Sequence, residues 1–413
     1  MQPEIDVEAG QLYPAEVRWA AKYEWLLSCG YRLRDRYKPD WVPSWRGKGD
    51  DVVSWEQEDA HPFQDSRVAD AVRVSDNTPV ALKRIYPDKN PQEEGIIISL
   101  GSEPLASDSH NHCVPIYEIL SVPDEDYKLI VMPLLRKYAD PEWDTMGEVV
   151  SCIHQVFEGL QFMHANRIAH RDCTVGNIML DPRDMYPDGF HPSRPRRARD
   201  WNGDAKFYTR TQRPSRYYLI DFGLSQLYPP EGSATAIPSL GGDKTVPELL
   251  AHPDSEYDPF PVDVYYVGNW VREYIIKVGI RILRDYKYHG FEFLSGLMDE
   301  MTVVDPSKRP TMDHVMGRLD EIVKSTSSWT LRSRVVARGE RPIVGLYRAI
   351  GHWKRRVVFI VTRTPAIPTP APAPPTYVQR RPIPSSSSST RKPSIPADSG
   401  ADSEGNAPPP DAT

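Results

Sequence analysis

The sequence predicts an α+β protein with two lobes, a small β-rich lobe followed by a larger helical lobe. Two hairpins come first: VADAVRV and PVALKRI flank the turn SDNT, and VPIYEILSV and YKLIVMPLL flank PDED. The later segment MGEVVSCIHQVFEGLQFMHA places apolar residues on one helical face, and most regular segments after it are also helical. Strands followed by helices are typical of the α+β class.

Composition and charge limit the classes of protein to consider. The 413 residues suffice for one large domain with tails, and the net charge of -7 argues against a protein built around nucleic acid. Cys29, Cys113, Cys152 and Cys173 show neither paired nor metal-ligand spacing, which predicts an intracellular, cytoplasmic location. No uncharged apolar stretch reaches membrane-spanning length, so we expect no transmembrane segment.

Four regions differ in composition. Near the N-terminus, PAEVRWAAKYEWLLSCG predicts one packing helix, with Pro14 in its first turn and Gly30 where it ends. The two hairpins and the helical segments follow as the main domain. The predicted boundaries are 1–62 for the N-terminal extension, 63–326 for the main domain (small lobe 63–133, large lobe 134–326), 327–364 for a basic segment and 365–413 for a tail.

The last two regions have opposite characters. Residues 327–364 are strongly basic with interleaved apolar residues, so they could pack on the domain or lie on an acidic surface or a membrane headgroup layer. Residues 365–413 are rich in proline and serine and too poor in apolar residues to fold, which predicts disorder. Within this tail, RKPSIP is a candidate ligand for an SH3-like partner.

Several charged residues have the types that phosphate and magnesium chemistry needs. In VALK, Ala81 and Lys83 leave the same face of a strand, so one small residue and one cation point the same way. The apolar run YYLID ends in Asp221, and AHRDCTVGNIMLD carries Asp172 and Asn177 in a polar loop. Asp221 and Asn177 offer hard oxygen ligands that suit Mg²⁺, and Lys83 could neutralise phosphate oxygens. Asp172 is needed for neither the metal nor the phosphates and is therefore the candidate base.

These motifs resemble those of the eukaryotic-type protein kinases. HRDCTVGN resembles the catalytic loop H-R-D-x-x-x-x-N, VALK resembles the strand that presents the nucleotide lysine, and Asp221, Phe222 and Gly223 form an intact DFG. TVPELL, DVYYVG and DPSKRPT then resemble the APE segment, the D-x-W-x-x-G helix and the closing arginine motif, in the family's order. The resemblance implies a bilobal protein-kinase-like fold, ATP and Mg²⁺ as cofactors, and a protein substrate with Ser/Thr as the default.

The resemblance also implies a role for each site residue. The implied catalytic residues are Asp172 as the base, Arg171 beside it as an organiser of a phosphorylated activation segment, and Lys83 with its partner Glu93. Glu93 is preferred to Glu94 because apolar residues follow it at +3, +4 and +7. Nucleotide binding would involve Val68, Ala81, Lys83, Met132 as gatekeeper, Asn177 and Asp221, the last two also as metal ligands.

Three departures from the family pattern affect the expected chemistry. HPFQDSRV stands where the Gly-rich phosphate loop should be, so its backbone donors are missing and nucleotide binding should be weak. Ser/Thr kinases place a lysine two residues after the base, and tyrosine kinases place an arginine four residues after it, but here those positions are Thr174 and Gly176. Gly241 stands where the threonine that partners the lysine should be. An arginine-rich insertion, 182–214, must loop out between two strands, either as a substrate or partner surface or as a solvated excursion.

Three functions remain open at this point. A protein kinase is preferred because the lysine, base, asparagine and DFG aspartate are all present. A pseudokinase scaffold is favoured by the altered Gly-rich loop. A small-molecule phosphotransferase is suggested by Gly176 before Asn177 and opposed by the APE and arginine motifs, which build the peptide-binding side of protein kinases.

Overall fold

The computed structural model describes residues 10–48, 52–63, 65–239, 241–276, 288–337, 339–372 and 377–381. Elements are numbered in chain order. The helices are α1 Pro14–Ala20, α2 Tyr23–Ser28, α3 Glu93–Leu100, α4 Met146–Ala165, α5 Pro247–Ala251, α6 Pro259–Val271, α7 Ser295–Met301, α8 Met312–Ser325, α9 Ser328–Leu331 and α10 Pro342–Val361. The strands are β1 Tyr31–Arg32, β2 Val68–Arg73, β3 Thr78–Ile85, β4 Glu118–Ser121, β5 Lys128–Pro133, β6 Arg136–Lys137, β7 Ile168–Ala169, β8 Ile178–Leu180, β9 Tyr217–Leu219, β10 Gln226–Leu227 and β11 Gln379–Arg381.

The small lobe is a sheet of six strands in the order β1-β2-β3-β5-β4-β11, with helix α3 against it. Both predicted hairpins are present as the antiparallel pairs β2–β3 and β4–β5. The register sets Lys83 of β3 opposite Val68 on one side and Ile130 on the other. Helix α3 buries Ile96, Ile97 and Leu100, the apolar positions on which the preference for Glu93 depended.

The N-terminal residues belong to this lobe. Strand β1 pairs with β2 and extends the sheet, so residues 31–32 are part of the small lobe and not of a separate extension. The prediction of one packing helix is wrong, because α1 ends at Ala20 and α2 begins at Tyr23. Trp19 and Leu26 are fully buried on the outer face of the sheet. Their tertiary packing outweighs the propensity of the segment to continue as one helix.

The large lobe is built around α4. Its first turn is capped by Thr145, whose side chain accepts a hydrogen bond from the backbone N–H of Glu148. Helix α4 packs against α8, α6 and strand β9. The six apolar residues that predicted its buried face are all in the core: Val149, Ile153, Val156, Phe157, Leu160 and Met163.

The tail does not follow the prediction of disorder over its first part. Residues 365–372 lie on the large lobe, where the Ser151 hydroxyl donates to the Pro368 carbonyl at 2.6 Å. Strand β11 then pairs in parallel with β4 at the edge of the small-lobe sheet. The prediction is therefore wrong for residues 365–372 and 377–381, because backbone hydrogen bonds to the domain replace the missing apolar burial. RKPSIP, at 391–396, lies outside the described residues.

The basic segment forms α9 and α10. Helix α10 packs on the large lobe through His352, Arg356 and Phe359, and Asp144 holds it with hydrogen bonds from His352 and Arg355. Of the alternatives left open for residues 327–364, packing on the domain is therefore the one observed, and it involves one face of α10. None of the helices that the structure describes is long and apolar enough to cross a bilayer.

Candidate active site

A buried lysine links the two lobes at the base of the cleft. Lys83 Nζ lies 2.7 Å from Glu93 Oε1 on α3 and 2.8 Å from Asp221 Oδ1, which follows β9 of the large lobe. Burial would lower the pKa of Lys83, but the two carboxylates raise it, so the ammonium stays charged. Burial likewise would raise the pKa of Asp221, yet the Lys83 ammonium holds it below its ordinary value. Glu94 instead pairs with Lys128 of β5.

The turn after β9 explains the residues that surround Asp221. Asp221 has a left-handed backbone with φ +65°, which is uncommon outside glycine, and its side chain accepts from the Gly223 N–H. A Cβ on Gly223 would lie 3.2 Å from Asp221 Oδ1 and 3.4 Å from Glu93 Oε2. A side chain at position 223 would therefore crowd two carboxylates, which would have to shift by a few tenths of an ångström, whereas the φ angle of Gly223 imposes no such restriction.

The polar loop brings Asp172 and Asn177 together. The Asn177 side-chain amide donates to Asp172 Oδ2 at 2.8 Å and to the Asp172 carbonyl at 2.9 Å. These bonds use the nitrogen of the amide, so its carbonyl oxygen is the atom left to face a cation. Burial raises the pKa of Asp172 above its ordinary value.

A backbone group that the sequence did not reveal contacts the same carboxylate. The Gly242 N–H donates to Asp172 Oδ1 at 2.9 Å, and Gly242 has φ +78°. The family resemblance would place a lysine and a threonine beside Asp172, but Thr174 and Gly241 stand at those positions. In this structure the Gly242 N–H contacts the carboxylate instead. The motif alone could not show this contact, because a main-chain N–H has no side-chain signature and lies 70 residues away.

The loop is braced from below by Asp263 of α6. Its two carboxylate oxygens accept from the backbone N–H groups of His170 and Arg171, each at 2.7 Å. The Arg171 guanidinium donates to the carbonyls of Leu224 and Ile237, at 3.2 Å and 2.5 Å. Arg171 thus holds the 224–237 segment through its main-chain carbonyls. Its role as organiser of a phosphorylated activation segment stays a prediction.

A second ion pair in the large lobe joins the TVPELL and DPSKRPT motifs. Arg309 donates through Nη1 and Nη2 to the two oxygens of Glu248, at 2.6 Å and 2.7 Å. This bidentate pair fixes the start of α5 against the loop before α8.

The cleft between the lobes has a volume of about 300 Å³. Lys83, Asn177 and Asp221 line it together with Val68 and Met132. Ala81 is buried and lies directly opposite Met132 in the β3–β5 ladder. The residues predicted to bind nucleotide therefore lie around one cleft. Asp172 does not line the cleft itself but is hydrogen-bonded to Asn177, which does. Arg171, the residue before Asp172, does not line the cleft either.

A family model described as the protein kinase domain matches residues 64–280, just over half of the 413 residues. The chain belongs to the protein kinase family. Protein kinase domains in general use ATP and Mg²⁺ and act on proteins, and the two-lobed α+β fold fits such a domain. The match begins close to the predicted start of the main domain, at 63, although the structure adds β1 to the same lobe.

The connection between β1 and β2 is long, where a short Gly-rich loop would be expected. Its described residues, 33–48, 52–63 and 65–67, form a braced segment, here called the 33–67 excursion, in which Phe63 stacks on Tyr37 with ring centroids 4.1 Å apart. Asp65 and Arg67 line the cleft mouth, and Asp65 Oδ1 accepts from the Arg67 N–H at 2.7 Å. His61, Phe63 and Ser66 stand at the three expected glycine positions, and one acidic and one basic side chain, Asp65 and Arg67, line the cleft beside them.

The insertion at 182–214 is packed and not a solvated excursion. Ser193 donates to the Pro62 carbonyl at 2.7 Å, and Trp201 donates to the Glu56 carbonyl at 2.6 Å. Between these two residues, the Pro195 carbonyl accepts from Arg136 of β6 at 2.8 Å. The insertion therefore joins the 33–67 excursion of the small lobe to the large lobe. Its high content of aromatic residues and arginine was the signal that it could bury surface.

Proposed function

We propose that this chain is an active protein kinase that transfers the γ-phosphoryl group of ATP to a protein hydroxyl, with serine or threonine as the default acceptor. The observation that carries the proposal is the position of Lys83 between Glu93 and Asp221, at 2.7 Å and 2.8 Å, beside a cleft that also contains Asn177. A lysine held at this point, beside the cleft, by two carboxylates suits the binding of phosphate oxygens.

The proposed mechanism assigns one task to each residue. Lys83, oriented by Glu93, holds the α and β phosphates, and Asp172 orients the substrate hydroxyl and accepts its proton. The raised pKa of Asp172, due to burial, makes its carboxylate a stronger base than an exposed aspartate. The Gly242 N–H and the Asn177 amide keep that carboxylate in one orientation.

The residues present also fit Mg²⁺. The Asp221 carboxylate and the Asn177 carbonyl oxygen are hard donors, and two protein ligands suffice where phosphates and water complete the shell. When bound with ATP, the ion would neutralise charge that develops on the transferred group. The low pKa of Asp221 keeps its carboxylate ionised for this role.

A scaffold without catalysis remains the second candidate, and a specific observation favours it. The 33–67 excursion offers Asp65, a like charge for a triphosphate, and Pro62, which has no N–H. Loss of one or two charge-assisted hydrogen bonds costs about 1.5–3 kcal/mol each, which weakens nucleotide binding about tenfold to a thousandfold. The protein would then retain the fold and use it for binding partners.

We also infer a reducing, intracellular location, since all four cysteines are free and buried.

Phosphate transfer from γ-labelled ATP to serine and threonine peptides tests the proposal. We expect incorporation in the presence of Mg²⁺, and its loss by at least a hundredfold in Asp172→Asn. Asp184→Asn, at an exposed aspartate in the insertion, is the matched control and should retain activity. Absence of incorporation in the unmodified chain, or equal incorporation in Asp172→Asn, would exclude the proposed chemistry and leave the scaffold.

A further inference from the structure

Helix α10 has two faces of different character. His352, Arg356 and Phe359 are buried against the large lobe, and Asp144 anchors this side of the helix. The opposite side exposes large apolar side chains over the whole helix, with Ile343 84 %, Tyr347 80 % and Val361 75 % exposed. The exposed apolar residues of α10 are Ile343, Val344, Leu346, Tyr347, Ile350, Trp353, Val357, Val358, Ile360 and Val361.

These side chains form a continuous stripe. Ile343, Tyr347, Ile350, Val357 and Val361 recur at the spacing of one helical face, over a length of about 27 Å. Monomeric soluble proteins rarely expose so long an apolar surface without a binding role.

Two tryptophans widen the stripe at its edge. Trp329 of α9 is 61 % exposed, and its ring lies 6.2 Å from that of Trp353. The Arg356 guanidinium lies over both rings, 3.8 Å and 4.9 Å from their centroids, which fixes the aromatic pair on the domain. Tryptophan and tyrosine favour the boundary between water and lipid, because each combines an apolar ring with a polar atom.

Cations outnumber acids around the stripe. From position 341 to position 363, which covers α10 and the two residues after it, the sequence contains six lysine and arginine residues and no aspartate or glutamate. Asp144 neutralises Arg355, and Glu142 and Glu340 neutralise Arg348. Lys354 falls within the stripe itself, and no carboxylate of the described residues forms an ion pair with it. The surface is therefore complementary to something both apolar and negatively charged.

We propose that the α10 stripe binds the surface of a bilayer that contains anionic lipid, with the helix lying in the plane of the headgroups. The apolar side chains would enter the acyl boundary, while Lys354 and its basic neighbours contact the headgroups. The domain, anchored through Asp144, would then sit on the membrane in one orientation. This inference does not depend on kinase activity.

Other occupants fit the stripe less well. In a symmetric dimer centred on the stripe, each copy would bring its own Lys354 into the interface, and none of the described carboxylates is paired with that lysine to neutralise it. The chain's own segments outside the described residues are also poor complements by sequence. Residues 1–9 have three acids but few apolar residues, 277–287 have four cations and one acid, and 382–413 are mostly proline, serine and other small residues.

Cosedimentation of the full chain with vesicles tests the proposal. One set contains phosphatidylcholine alone and the other phosphatidylcholine with about 30 % phosphatidylserine. We expect binding to the second set that weakens as salt is raised, and little binding to the first. Lys354→Gln should weaken binding about fivefold, which is the effect of one basic residue near such a surface. Tyr347→Glu should weaken it at least tenfold.

Val304→Glu is the control, because Val304 is 71 % exposed but lies outside α10, between α7 and α8. It should bind like the unmodified chain. All three substitutions are at exposed positions, so their melting temperatures should agree, and Lys354→Gln keeps the test valid if Tyr347→Glu does not fold. Failure to bind the anionic vesicles, or unchanged binding in both α10 variants, would overturn the proposal. So would a dimer in light scattering that Tyr347→Glu converts to monomer, since the stripe would then be an interface between copies.

Discussion

Replacement of Asp263 by asparagine is the sharpest test of how the catalytic loop is held. Asp263 is fully buried, and its carboxylate accepts from the His170 and Arg171 N–H groups at 2.7 Å each and from His164 Nε2 at 3.1 Å. In Asp263→Asn one oxygen becomes an NH₂ group, which cannot accept, so at least one of these donors loses its partner.

The cost follows from the hydrogen bonds that change. A charge-assisted bond contributes about 1.5–3 kcal/mol, and a buried N–H without a partner costs about 1 kcal/mol or more. We therefore expect Asp263→Asn to lower the free energy of unfolding by about 2–4 kcal/mol. Because Arg171 and Asp172 are adjacent, the base should also shift, and a displacement near 1 Å can reduce turnover about a hundredfold.

Urea unfolding followed by tryptophan fluorescence measures the first effect, and peptide phosphorylation measures the second. Asp254→Asn provides the matched control, since Asp254 is exposed and the same chemical change should alter stability by less than about 0.5 kcal/mol. If Asp263→Asn unfolds at the same urea concentration as the control and turns over at the same rate, the buried carboxylate does not brace the loop as argued.

Two further predictions concern the activation segment and the anchor of α10. In Gly242→Ala the new Cβ would collide with the Tyr266 ring and hydroxyl, so we expect a loss of about 1–3 kcal/mol and at least a tenfold drop in turnover as the N–H leaves Asp172. Gly203→Ala, with a similar φ of +81° but open space around the Cβ, isolates the backbone strain, and an equal effect on turnover there would contradict the explanation. Burial alone would raise the pKa of Asp144, but hydrogen bonds from Arg355 and His352 lower it from 3.8 to about 2. Asp144 therefore stabilises the fold by about 2 kcal/mol above pH 4 and loses this contribution as the pH falls towards 2, so the stability difference from Asp144→Asn should shrink over that range in urea titrations. A difference that is constant with pH would argue against the ionic anchor.

The features that could be predicted from sequence are those with local signals. Both hairpins follow from alternating runs around turn residues, and the buried face of α4 follows from its helical period. The register argument that preferred Glu93 to Glu94 agrees with the observed ion pair to Lys83, because the inward apolar face of α3 carries the glutamate with it.

The features that could not be predicted depend on contacts between distant parts of the chain. Gly242 reaches Asp172 through a main-chain N–H, which no side-chain pattern marks. Strand β11 is polar in sequence and exists because it adds to the free edge of β4, more than 250 residues earlier. The insertion at 182–214 appears polar in sequence, yet Tyr186 and Phe190 enclose the buried Arg136 guanidinium, with ring centroids 4.4 Å away.

The central claim is that Lys83, Asn177 and Asp221 form a site for magnesium-bound ATP. A thermal-shift titration of the full chain with Mg-ATP tests it most directly, with Lys83→Met as the variant that removes the phosphate contact. We predict that Mg-ATP raises the melting temperature of the unmodified chain. At a hundred times the dissociation constant, the corresponding stabilisation should be about 2.7 kcal/mol, and the rise in Lys83→Met should be much smaller. No shift in the unmodified chain at millimolar Mg-ATP, or an equal shift in the variant, would contradict the claim.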